Sequence, residues 1–164
     1  MKIQKATTGL SLYSANITKS GEHVNEISDC DCGIYIYGCS PTVQWTKVLN
    51  NTNDAVEVSG YAPVLQQTRL TAGGNGISVS SGYTPVLQQS KIESVGLECI
   101  YLGYCASVSM ANNQNDIIRK QSPAGYYAIN HGTAGLVTAY VDNNYWGGET
   151  NPNLLFSWPS YVNY

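Results

Sequence analysis

The eleven residues from Gly60 to Leu70, GYAPVLQQTRL, return from Gly82 to Ile92 as GYTPVLQQSKI, with no insertion to disturb the count. The offset is 22 residues, seven of the eleven positions are identical, and the remaining pairs are conservative. Stepping back by the same offset gives GCSPTVQWTKV, which keeps Gly38, Pro41, Gln44, Thr46, Lys47 and Val48 in register. Three copies at one spacing are a structural period. Gly103-Tyr104 and Gly125-Tyr126 continue the spacing approximately, without the Gln and the basic residue.

Each unit reads as turn, strand, turn, strand. Gly supplies the unusual backbone, Pro opens a strand where no ladder donor is needed, and a β-patterned run follows. Those runs are 42–48, 64–70 and 86–92, preceded by GIYIY, AVEV and GISVS. The expected fold is one all-β domain over 1–164, with repeats at 38–48, 60–70 and 82–92. Two arrangements compete: an antiparallel sandwich or barrel built from tandem 22-residue hairpins, and a short β-solenoid.

Charge decides between them. In a solenoid, equivalent strands lie about 4.8 Å apart, which would stack Lys47, Arg69 and Lys91 into a like-charge column. The repeats show no facing acidic column, so the antiparallel arrangement is the expectation. NNQNDIIRKQ, over 112–121, is the one segment that reads as a helix.

Composition narrows the function classes. Charged residues are only 12%, the net charge is −3, and Tyr contributes 13 residues against a single Phe. Eight Lys and Arg are too few for a phosphate-tracking footprint, so no nucleic-acid partner is expected. No apolar run reaches the length of a membrane span, so no membrane insertion is expected. MKIQKATTGLSLYSANITKSG lacks the apolar stretch of a secretory signal.

No spacing assembles a catalytic centre, and a non-enzyme is expected. The carboxylates Glu93, Glu98, Asp142 and Glu149 form no recognisable pair, and the nucleophile-elbow pattern is missing. His23 and His131 sit in polar, turn-like surroundings. Cys30, Cys32, Cys39, Cys99 and Cys105 are odd in number, and Cys30 and Cys32 stand too close for an easy mutual bridge. Buried free thiols are the expectation, and a one-residue Cys spacing is unlike a zinc site.

Two places suit a ligand. Repeated units would repeat a site, pairing Tyr61 with Gln67 and Tyr83 with Gln89. The loop YVDNNYWGGETNPN offers an aromatic platform, Tyr145 and Trp146, beside oxygen donors Asp142, Asn144 and Glu149. Those oxygens are the type calcium takes, although the EF-hand spacing is missing. No other cofactor is expected.

A compact, weakly charged, Tyr-rich β-domain with repeated flat surface suits contact between copies, because low charge avoids repulsion in packed arrays. The expectation is a structural or assembly protein on a larger particle or fibre, for example a phage coat, decoration or tail-fibre component. Its partners would be its own copies or other components, in a virion or extracellular particle. The alternative is a carbohydrate-binding module or lectin, with calcium as an aid.

Overall fold

The computed structural model describes residues 1–18, 24–80, 83–93, 95–104, 106–110, 114–117, 127–132, 139–141, 144–148, 156–157 and 162–163. The chain winds through three sheets in rotation. The first holds β1 (Lys2–Gln4), β3 (Asn25–Ser28), β6 (Thr46–Asn51), β9 (Arg69–Ala72), β12 (Lys91–Ile92) and β14 (Asp116–Ile117). The second holds β2 (Thr8–Leu12), β4 (Cys32–Tyr37), β7 (Val56–Ser59), β10 (Ile77–Val79), β13 (Ile100–Leu102) and β15 (Ile129–His131).

The third sheet holds β5 (Thr42–Gln44), β8 (Val64–Gln66) and β11 (Val86–Gln88), extended by bridges from Ile17 to Val43 and from Val86 to Ser109. A separate pair joins β16 (Ala139–Tyr140) to β17 (Val162–Asn163). The result is a parallel solenoid of about five turns.

This overturns the antiparallel sandwich or barrel. Every ladder among the described residues is parallel, and Thr42, Val64 and Val86 stand in one register column, each one turn from the next. The like-charge column does exist, with Lys47 beside Arg69 and Arg69 beside Lys91. Its counter-charges come from outside the repeated positions. Glu26 precedes Lys47 and Asp116 follows Lys91 in the same column, and Glu93 reaches back to both Arg69 and Lys91.

The run after each Pro is two strands, not one. Trp45, Gln67 and Gln89 have φ of 50°, 52° and 50°, so the chain turns a corner there and the alternation restarts. Both Val43 and Thr46 therefore face the interior, although three residues apart. Gln114 repeats the corner with φ of 52°. The expected helix at 112–121 is corrected where it is described, since Asp116–Ile117 pairs with Lys91–Ile92 as a strand.

In-register stacking builds the core in columns. Ile27, Val48, Leu70, Ile92 and Ile117 stack inside the first sheet, and Ile34, Val56, Ile77, Ile100 and Ile129 inside the second. Val43, Leu65 and Leu87 close the third side. Side chains of like shape nest turn on turn, which favours β-branched residues. Where the first sheet bends into the second there is room only for small residues. A Cβ on Gly33 would stand 2.5 Å from the Ala55 carbonyl oxygen. The repeat's opening glycine has a similar reason, because a Cβ on Gly60 would strike the Gly38 backbone.

One column ends unlike the rest. Leu12, Ile36, Val58, Val79 and Leu102 are followed by His131, which is buried with its Nε2 unpartnered among the described residues. Burial pushes its pKa below the ordinary 6.5. The unfolded chain therefore takes up this proton first, so stability is intact above about pH 6.5 and falls as pH drops below it. His131→Leu should keep a melting temperature that the parent loses between about pH 7.5 and pH 5.5, measured by circular dichroism.

Candidate functional site

The corners at Trp45, Gln67, Gln89 and Gln114 stack into an edge of the solenoid, and a groove of about 400 Å³ runs along it. Non-glycine residues in the left-handed region cost on the order of 1–3 kcal/mol each, and glycine would avoid that cost. Four successive turns nevertheless carry a large side chain there. Trp45 is 38% exposed, and the amides of Gln67, Gln89 and Gln114 make no hydrogen bond to any described residue. Gln44 and Gln66, one residue earlier, do pair amide to amide.

Beneath the groove lies a buried polar ladder. Thr68 donates through its backbone N–H and hydroxyl to Ser90 Oγ at 3.1 and 3.0 Å, and the Ser90 N–H donates to Asn115 Oδ1 at 2.8 Å. Asn115 in turn donates to Asn144 Oδ1 at 2.9 Å. Each buried polar group finds a partner one turn away, which keeps the bend rigid.

The groove's outer wall is the charged row. Lys2 pairs with Glu26 at 3.2 Å, Arg69 with Glu93 at 2.8 Å, and Lys91 with Glu93 at 3.0 Å. Glu93 has its pKa pulled below the ordinary carboxylate range by hydrogen bonds and charge from Lys91 and Arg69, which outweigh its partial burial. Lys2, Lys47, Arg69 and Lys91 stand against Glu26, Glu93 and Asp116, so the row carries little net charge.

A second surface row is aromatic. Tyr13, Tyr37, Tyr61 and Tyr104 are 62%, 52%, 63% and 58% exposed. Tyr13 meets Tyr37 edge-on with centroids 6.1 Å apart, Tyr35 stacks on Tyr37 at 6.2 Å, and Tyr61 tilts against Tyr83 at 6.4 Å.

These two rows separate residues that the sequence pairs. Tyr61 and Tyr83 lie before β8 and β11, and Gln67 and Gln89 lie after them, at opposite ends of the third sheet. Tyr61 therefore keeps company with Tyr83, and Gln67 with Gln89. Trp45 and Gln114, which complete the glutamine row, were missed as site residues. Trp45 shares a repeat position with Gln67 and Gln89, and that alignment was the available signal.

In the late loop, Asp142 and Glu149 lie outside the described residues, as does His23. The Asn144 oxygen already accepts two hydrogen bonds from Asn115, and its Nδ2 donates to the Met110 and Val141 carbonyls, so this side chain serves the ladder. Trp146 packs edge-on to Phe156 at 5.2 Å, and Tyr145 is exposed.

Cys32 is poorly suited to nucleophilic work at neutral pH. Cys30, Cys32 and Cys39 carry free thiols, and burial with the nearby charges of Glu57 and Asp54 pushes Cys32 up to about 12. Glu57 is raised by burial and by Asp54, whose Oδ1 accepts two bonds from Asn75 at 2.8 and 3.1 Å. Cys105 lies outside the described residues.

Three parallel sheets around one apolar core define a β-solenoid. The family of right-handed beta helix regions matches residues 4–146, and the chain belongs to it. No curated protein and no solved structure matches the chain. The fold serves structural and surface proteins and also enzymes, so fold alone leaves chemistry open.

Glu93→Gln should lower unfolding stability by about 1 kcal/mol at low salt, because Arg69 and Lys91 would then face each other without a shared counter-charge. Urea titrations should show the loss shrinking as salt is added.

Proposed function

We propose that this protein is a non-enzymatic structural domain, displayed on a larger particle or fibre such as a phage coat, decoration or tail-fibre assembly. The exposed tyrosine row carries this reading. A Tyr buries on the order of 150–250 Å² when covered, loses little rotamer freedom, and is enriched at interfaces. Four such rings along one edge of a weakly charged domain form a ready contact strip. Its partners are copies of this chain or other components of the assembly.

Three side chains that chemistry would need are engaged otherwise, which supports a non-enzymatic role. His131 is spent in the core, Cys32 holds its proton at neutral pH, and Asp54 is tied to Asn75. The corner groove supports a second reading, in which the domain also holds glycans of its surroundings.

Light scattering tests the first reading. The parent should run as a defined oligomer, unchanged by EDTA, and Tyr13→Ser/Tyr37→Ser/Tyr61→Ser should run as a monomer with an unchanged melting temperature. A monomeric parent at every accessible concentration would count against self-assembly.

A further inference from the structure

We infer that Asn75–Gly76 is a latent deamidation site, held shut by the turns stacked on either side of it and open only when those turns part. The dipeptide is the single Asn-Gly in the chain, and it lies between β9 and β10. Glycine offers no side chain to hinder attack by its own nitrogen, and Asn is among the thermolabile residues. The backbone nitrogen of Gly76 attacks the Asn75 Cγ, a new C–N bond closes a succinimide ring, and the side-chain nitrogen leaves as ammonia. Water then opens the ring at either carbonyl, giving aspartate or isoaspartate with no change in oxidation state.

Packing explains why so labile a pair is present. A Cβ on Gly76 would stand 2.4 Å from Ile92 Cγ2 and 2.6 Å from the Cys99 carbonyl oxygen, so a larger residue has no room. Asn75 ties two turns together. Its backbone N–H and its Nδ2 both donate to Asp54 Oδ1, at 2.8 and 3.1 Å, and its Oδ1 accepts the Glu98 N–H at 3.3 Å. Each residue has its own structural reason, and side by side they make the reactive sequence.

The same contacts hold the reaction off. The Gly76 N–H donates to the Glu98 carbonyl at 3.1 Å, so the attacking nitrogen is engaged by the following turn. The Ala55 and Val56 N–H groups donate to the Asn75 and Gly76 carbonyls at 3.0 and 3.1 Å, which fixes the same peptide from the preceding turn. Ring closure requires the carboxamide to leave Asp54 and Glu98 and the peptide to rotate, and both steps need a local opening of the stack.

Re-closing does not undo the change. Aspartate at position 75 lacks the Nδ2 donor and sets a second carboxylate against Asp54, beside Glu57, which Asp54 already crowds. Isoaspartate adds a methylene to the backbone and shifts the ladder that follows out of register. The site is therefore a one-way record of turn separation.

The test follows deamidation of the peptide containing Asn75 by mass mapping, with the intact chain held at mildly alkaline pH either folded or unfolded in urea. The folded chain should react about a hundredfold more slowly than the unfolded one. Asp54→Ala removes the acceptor and should bring the folded rate towards the unfolded rate, whereas Asp54→Asn keeps an oxygen for Asn75 and should stay slow. Asn75→Asp, which installs one product directly, should melt at a lower temperature than the parent.

Equal rates in the folded and unfolded parent would overturn the lock, whether or not the variants fold. A folded Asp54→Ala chain as slow as the parent would overturn the part given to the ladder. An Asn75→Asp chain as stable as the parent would overturn the one-way character.

Discussion

Everything in this molecule depends on parallel, in-register stacking with a period close to 22 residues. Once Thr42, Val64 and Val86 share a column, every other residue of the repeat meets its counterpart one turn away. Apolar positions become continuous core columns, and small positions become a tight bend. Most polar positions pair along the axis or face water, with the Asn51 Nδ2 and His131 Nε2 as buried exceptions among the described residues. The glutamine pair, the Thr68–Ser90–Asn115 ladder and the Asp54–Asn75 contact are three solutions to that one demand.

The same constraint shapes the surface. Stacking would punish a row of identical charges, and the chain answers with carboxylates above, below and beside the row. Among the described residues it leaves a tyrosine strip exposed at one edge, and an amide and tryptophan groove at another. Both follow from the solenoid, which presents equivalent positions at regular intervals along its axis.

The sequence made the period and the all-β class legible. It concealed the pairing partner. Two strands joined by a short turn look like a hairpin, and nothing local states that Val64 pairs with Val86 instead of with its own neighbour. The like-charge column is tolerated because its counter-charges stand outside the repeated positions. Glu26 and Asp116 belong to turns too diverged to align, and Glu93 lies one residue beyond the repeat. The corners hid for a related reason. Left-handed Trp45, Gln67 and Gln89 carry no glycine to mark them, so two strands read as one and the sequence pairs Tyr61 with Gln67.

The most direct measurement is a disulfide between adjacent turns. Lys47→Cys with Arg69→Cys places two outward-facing residues in register on neighbouring strands, about 4.8 Å apart and within the span a disulfide bridges. In a parallel solenoid, mild oxidation should link positions 47 and 69 in the folded protein, seen by peptide mass mapping. In an antiparallel stack of hairpins those positions lie about twice as far apart. Persistent free thiols at 47 and 69, with the β-sheet spectrum intact, would contradict the stacked register.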